Sequence, residues 1–292
     1  MIESQEPIKP PIVQRIPIEN KQEEYKPLPS PKYVPLTEPR QKSIMEEFDT
    51  ITEGDIKERY QRRVTVKSYE NLNMPYDTRE NPAIFGRNIV MTIDDCYGEN
   101  SKHVFAALKE KGVTATFFPN TQYLNPKNED TVKLWKEIYE SGFEIGYHTT
   151  NHTGNMSIEE LNEDFQKFTQ HMRELLGDPD FSIKVARPPY GAWDDEWNKW
   201  VKQNNLFNIR WNMGPNEKSS YANALGNQNI SPIVILHSRD NDVEWLKENL
   251  QELILIAKQN KSIVGSVYDS AFRNEKDFLF EDFIKRTEYM IK

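Results

Sequence analysis

The sequence predicts an α/β fold in which parallel strands are joined by crossover helices, either a closed barrel or a doubly wound sheet. Two observations carry this expectation. Short β-rich runs alternate with helix-like patterns over about 180 residues after Gly86, the pattern left by parallel strands with helices between them. The 292 residues of the chain also suffice for one such domain with appendages, since single α/β domains reach this size.

The β-rich runs fall at residues 88–93, 114–118, 143–147, 182–186, 206–211, 233–236 and 262–267, and helical patterns occupy 101–111, 130–141, 157–176, 194–203 and 242–260. Two helices carry end signals. Ser157-Ile-Glu-Glu160 reads as a capping box with Gly177 placed to end the same helix, and Lys111-Gly112 closes another. Trp193, Trp197 and Trp200 recur at helix-face spacing, which assigns Trp197 and Trp200 to packing. Folds of this class gather their chemistry at the C-terminal ends of the strands, so the residues that follow each run are the place to look.

Upstream of Gly86 the composition differs. Nine of the 18 prolines lie in the first 40 residues and the first glycine is Gly54, a mixture that favours extended polyproline II over a packed core. Residues 1–45 are expected to form a proline-rich extended arm, 46–85 a mixed connecting segment with a short helix at 56–62, and 86–292 the α/β domain. A solvated linker is the plain expectation for such an arm, and docking on another subunit of an assembly is the alternative.

A net charge of -9 and a pI near 5.3 argue against nucleic acid as a partner, because binding a polyanion requires a basic surface that releases its counterions. Cys96 is the single cysteine, which excludes an intrachain disulfide and any multi-cysteine metal site. The N-terminal residues lack the roughly 7–15 apolar residues of a signal-peptide core. The longest later aliphatic run, 253–257, is far shorter than a membrane span. The chain therefore reads as soluble.

Three of the five histidines stand at strand ends. His148 and His152, four positions apart, share a face whether the segment is helical or extended, and Gly154 with two threonines favours a loop. Asp94 and Asp95 end the first strand, where neighbouring side chains point to opposite sides and suit different tasks. One carboxylate with two imidazoles makes a three-ligand site with an open position for water, and the second carboxylate can take a proton from that water. Taken singly, the aspartate pair also fits an Asx-turn or a helix cap. Arg187 precedes two prolines that stiffen its loop and suits the orienting of a carboxylate, while Tyr190 and Gly191 offer backbone N–H groups to an oxyanion. His237 ends an apolar strand and can protonate a leaving amine.

Thr92-Ile-Asp-Asp95, His148-Thr-Thr-Asn-His152, Arg187-Pro-Pro-Tyr190 and Leu236-His237, in this order and at these strand ends, resemble the motifs of the polysaccharide deacetylases of carbohydrate esterase family 4. The resemblance covers roughly 88–270. It implies a distorted (β/α)7 to (β/α)8 barrel and a divalent metal, usually zinc, held by Asp95, His148 and His152. It further implies Asp94 as general base oriented by Arg187, the Tyr190 N–H at the oxyanion, Leu236 lining an acetyl pocket and His237 as general acid. The expected substrate is an amino-sugar polysaccharide of peptidoglycan or chitin type, met outside the cytoplasm at a cell wall or as part of a virion. Trp193, Tyr97 and Trp211 are candidate sugar-binding aromatics.

The chain departs from the family pattern in two places. Cys96 stands where the family often has glycine, and packing is its expected role. The family's aspartate-rich stretch after the fifth strand appears only as 211–217, with no aspartate, so a carboxylate that would steady Arg187 is expected to be absent. Two rival readings follow: a catalytically impaired barrel that binds glycan or serves as a structural component, and a thiol hydrolase built on Cys96.

Overall fold

The computed structural model describes residues 77–215, 229–260 and 262–274, all within one unit of the chain, Pro31–Lys292. The proline-rich arm, the expected helix at 56–62 and the residues from Asn216 onward in the altered fourth motif lie outside the described residues. Among the described residues there are seven strands: β1 (Ile89–Asp95), β2 (Thr116–Pro119), β3 (Glu144–Ile145), β4 (Val185–Ala186), β5 (Phe207–Asn208), β6 (Ile233–Leu236) and β7 (Val264–Gly265). Between and after them run α1 (Gly98–Glu110), α2 (Glu129–Glu140), α3 (Ile158–Leu176), α4 (Asp195–Gln203), α5 (Asp240–Gln259) and α6 (Val267–Asn274). Each β-rich run and each helical pattern read from the sequence has its counterpart, and α6 is the addition.

All strand pairings are parallel, and the sheet runs β3-β2-β1-β6 with β7 also on β1. Val90 pairs with Ile233 of β6 and with Gly265 of β7, while Thr92 to Asp95 pair with Thr116 to Pro119. Strands β7 and β2 therefore share one edge of β1 in succession. Two threonines, one just before β2 and one at its start, fasten this arrangement: Thr114 Oγ1 accepts the Ser266 N–H at 3.2 Å and Thr116 Oγ1 the Val267 N–H at 2.9 Å. The ring continues through the Tyr147–Ala186 bridge to the β4–β5 pair, and Met213 returns to Val234 of β6. Short strands bridged in this way make a distorted barrel.

Alternation along β1 sorts its residues into two layers. Ile89, Met91 and Ile93 face the helices in one apolar cluster, whereas Val90 joins Phe85, Phe118, Val185, Phe207, Ile209 and Ile233 in a second, inner one. Thr92 and Asp94 continue the inner row, and both are buried. Gly146, just past β3, has a packing reason: a Cβ there would fall 2.3 Å from the Phe118 ring and 2.9 Å from Val185. The helix ends follow the sequence signals. Ser157 and Glu160 form the reciprocal capping box of α3, which stops at Gly177 in a left-handed conformation (φ 67°).

The stretch before β1 packs on the barrel. Phe85 is fully buried, and Asp77 bridges Asn208 of β5 while accepting from Arg210 Nε at 2.9 Å and Nη2 at 3.0 Å. Burial works to raise the Asp77 pKa, but Arg210 and the Arg79 N–H outweigh it, and the carboxyl lies below its ordinary value. A depressed carboxyl adds stability that is complete above the unfolded-state value near pH 4 and fades as acid carries the pH through the lowered one. Asp77→Asn should therefore lower unfolding free energy by about 3 kcal/mol at neutral pH. The gap to wild type should narrow near pH 3. Urea unfolding of both proteins at the two pH values measures this, and equal stabilities at neutral pH would remove the role assigned to Asp77.

Candidate active site

At the C-terminal end of β1 the backbone turns sharply. Asp95 and Cys96 both have positive φ (62° and 61°), and the Cys96 N–H donates to the Asp94 carbonyl at 2.7 Å. This is a γ-turn in its strained form, and strain of that kind persists where surrounding structure enforces it. The turn sends two adjacent carboxylates to different neighbours. Neither caps α1, whose N-cap is Tyr97 without a side-chain bond, so the helix-cap alternative for the pair does not hold.

Asp94 points into the barrel. Its Oδ1 accepts from Arg187 Nη1 at 2.6 Å, and Arg187 is fully buried. The guanidinium also donates to Thr92 Oγ1 at 2.7 Å, to the Ile209 carbonyl at 2.9 Å and to the Arg210 carbonyl at 3.4 Å. Its faces lie near the rings of Phe118 (4.7 Å) and Trp211 (5.4 Å). Among the described residues, the guanidinium's partners beyond Asp94 and Thr92 are backbone carbonyls. Burial lowers the Arg187 pKa and Asp94 works against that shift; a guanidinium stays charged regardless.

His148 and His152 sit on the loop between β3 and α3, with Thr149 and His152 at positive φ (64° and 56°). Buried Asn120 holds this loop by donating to the His148 carbonyl at 2.7 Å and the Thr149 carbonyl at 3.1 Å. Asp164 of α3 accepts from Tyr147 Oη at 2.7 Å and from the Thr150 N–H at 2.9 Å. His148 Nδ1 lies 2.7 Å from the Arg187 carbonyl. A carbonyl only accepts, so Nδ1 carries a proton, and the neutral ring presents its Nε2 lone pair to the site.

That lone pair faces Asp95. Oδ1 of Asp95 is 3.4 Å from His148 Nε2 and 3.1 Å from His152 Nε2, it is buried, and it has no hydrogen-bond partner. The three donor atoms lie within 4.8 Å of one another. An anionic oxygen set against imidazole lone pairs is unfavourable unless a cation or proton stands between them, so the donor set fits a divalent ion. Burial works to raise the Asp95 pKa, yet His148, the Tyr97 hydroxyl and the charge on His152 together hold it at about 2. Desolvation lowers the His152 pKa against the pull of Asp95. Both shifts favour the protonation states that bind metal.

The remaining candidates are arranged around this centre. Tyr190 has φ 58° and is 79% exposed, with its ring edge-on to His152 at 4.3 Å. His237 is half-buried, near enough for its charge to disfavour protonation of His152. Leu236 is fully buried and pairs with Ile93. Trp193 and Trp211 pack at 4.8 Å, and Arg210 lies 4.0 Å from the Trp193 ring. Tyr97 does not stand free at the rim: its hydroxyl donates to Asp95 Oδ2 at 2.5 Å and its ring leans on Tyr123 at 5.2 Å. Trp197 and Trp200 are buried on α4.

Sequence reasoning gave no role to Thr92, Asn120, Asp164 or Asp242. Buried Asp242, in the first turn of α5, accepts the His237 N–H at 3.2 Å and the Arg239 N–H at 3.1 Å. Only Asp242 carried a local signal, as the first residue of a helical pattern directly behind the Leu-x-His end of a strand.

The parallel α/β barrel is the fold expected from the resemblance to the polysaccharide deacetylases. Residues 85–208 match the family described as polysaccharide deacetylase. It is similar to a peptidoglycan-N-acetylglucosamine deacetylase of Bacillus cereus, 26% identical over 159 residues that cover 51% of this chain and 55% of the relative. It is also similar to a chitooligosaccharide deacetylase of Sinorhizobium fredii, 25% identical over 135 residues, 45% of this chain and 60% of that one. The chain spans less than two thirds of the length of either relative. Among solved structures, the fold resembles a peptidoglycan deacetylase from Bacillus subtilis (TM-score 0.53, 15% identity, covering 69% of this chain and 97% of that one). A family 4 pseudoenzyme from Bacillus anthracis shares it too (TM-score 0.52, 19% identity, 64% and 66%).

Cys96 is buried and its thiol pKa is pushed well above the ordinary value, by desolvation first and by Asp95 and Asp94 next. A thiol so placed is neither ionised nor reachable, which removes the thiol-hydrolase reading. Iodoacetamide at neutral pH should leave Cys96 unmodified in the folded protein and alkylate it in denaturant, as read by intact mass. Rapid stoichiometric alkylation of the native protein would contradict that burial.

Proposed function

We propose that the chain is a metal-dependent hydrolase that removes N-acetyl groups from an amino-sugar polysaccharide of peptidoglycan or chitin type. The observation that carries this reading is the unpartnered Asp95 Oδ1 set against two imidazoles, with a second carboxylate clamped by Arg187 beside it. The named activities of the B. cereus and S. fredii relatives support the substrate class.

Asp95, His148 and His152 would hold a divalent cation, zinc by the nature of the donors, which supplies Lewis acidity toward water and toward the acyl oxygen when bound. Asp94 is the general base. Arg187 occupies its Oδ1, and Oδ2 lies on the side of His148, 3.8 Å from Nε2, where it receives a proton from the attacking water. The Tyr190 N–H donates to the oxygen that becomes negative as the carbonyl is attacked. His237 delivers a proton to the departing amine, its strand end held by Asp242. Leu236 lines the pocket for the acetyl methyl, and exposed Tyr190 offers a flat face to the sugar. A glycan of this kind places the working protein outside the cytoplasm, at a cell wall or on a virion. Among the described residues no helix is long and apolar enough to cross a membrane.

Zinc-loaded protein should release acetate from N-acetylglucosamine oligomers or peptidoglycan, lose that activity to a chelator and regain it with zinc. Asp94→Asn should lower turnover by about 10²- to 10⁴-fold with zinc binding retained. Acetate release assays together with metal analysis of the purified protein provide the measurement. Zinc-loaded protein that is inert on both substrates yet binds the oligomers would establish the non-hydrolytic, glycan-binding barrel instead.

A further inference from the structure

We infer that Tyr97 is a positioning residue for the metal centre, holding Asp95 to a single donor oxygen; the inference rests on the metal-site reading above. The carboxylate of Asp95 has two oxygens with different surroundings. Oδ1 has no hydrogen-bond partner and faces both imidazoles, whereas Oδ2 accepts the Tyr97 hydroxyl at 2.5 Å. Arg239, reaching over from the start of α5, places Nη2 4.0 Å from the same Oδ2 and also engages the Tyr97 hydroxyl.

The local backbone makes this contact available. Two successive residues at positive φ, Asp95 and Cys96, reverse the chain so that Tyr97 at the N-cap of α1 folds back over the residue two positions before it. The ring is fixed from the other side by Tyr123 at 5.2 Å, itself on the short turn that follows β2. A phenol held at both ends in this way leaves the carboxylate little freedom to rotate about its last torsion.

The consequence is chemical. With Oδ2 engaged, Asp95 has Oδ1 alone to offer, and Asp95, His148 and His152 would present three donors to a divalent ion. Without the phenol, Oδ2 is free either to become a fourth donor or to pair directly with Arg239, which would draw the carboxylate away from the imidazoles. Partners that orient a ligating side chain typically contribute 10- to 100-fold to metal affinity. The same contact changes the place of Tyr97 among the aromatics of the site: its hydroxyl faces inward to Asp95, while Tyr123 and Tyr190 are exposed.

The test uses the full chain as apoprotein, wild type and Tyr97→Phe, titrated with zinc against a competing chromophoric chelator and, separately, with cobalt(II). Tyr97→Phe should bind zinc about 10-fold more weakly. Its cobalt(II) d–d bands should be altered, weaker if Oδ2 joins the coordination, while the apoproteins melt together. A purely structural tyrosine would shift the melting temperature and leave the cobalt spectrum alone. Tyr97→Phe with wild-type zinc affinity and an unchanged cobalt spectrum overturns the inference and leaves the metal site standing. Wild-type protein that binds neither ion overturns both.

Discussion

A buried guanidinium organises this barrel. Arg187 is fully enclosed, and its contacts reach Thr92 and Asp94 on β1 and the carbonyls of Ile209 and Arg210 beyond β5, while its own carbonyl meets His148 beyond β3. Bringing a charge into such a place costs several kcal/mol unless it is paired and its remaining donors are satisfied. Asp94 supplies the countercharge at 2.6 Å and the carbonyls supply the rest. The packing of three strand ends and the orientation of one carboxylate are therefore a single arrangement.

From that clamp the division of labour between adjacent aspartates follows. A strand places neighbouring side chains on opposite faces, but here the strand also ends, and the γ-turn at Asp95 turns the second carboxylate to the rim. Asp94 is held from inside by an arginine. Asp95 is held from outside by a phenol and looks at two imidazoles. Two identical side chains, one residue apart, thus acquire different partners without any difference in their own chemistry.

The histidine loop shows the same logic at a second level. The sequence places His148 and His152 on one face, yet it does not say what keeps them there. Asn120 from the end of β2 and Asp164 from α3 bind the backbone and the base of that loop, and the Arg187 carbonyl selects the His148 tautomer. These supports come from three separate parts of the chain, so no local pattern betrays them. Each is a polar side chain whose purpose is visible only once its partner's backbone is beside it.

The sequence by itself determined the alternation of seven strands and their helices, the capping box at Ser157, the stop at Gly177 and the clustering of acidic and imidazole side chains at strand ends. These are written in periods of two and 3.6 residues and in local backbone preferences, which need no distant contact. Tertiary structure alone decided which oxygen of Asp95 stays free, that Tyr97 binds Asp95 rather than standing open at the rim, that the carbonyls of Ile209 and Arg210 accept from Arg187, and that β7 and β2 divide one edge of β1. Each of those depends on groups far apart in the chain meeting within hydrogen-bond distance, and hydrogen bonds, unlike hydrophobic periods, leave no regular spacing in the residues that make them.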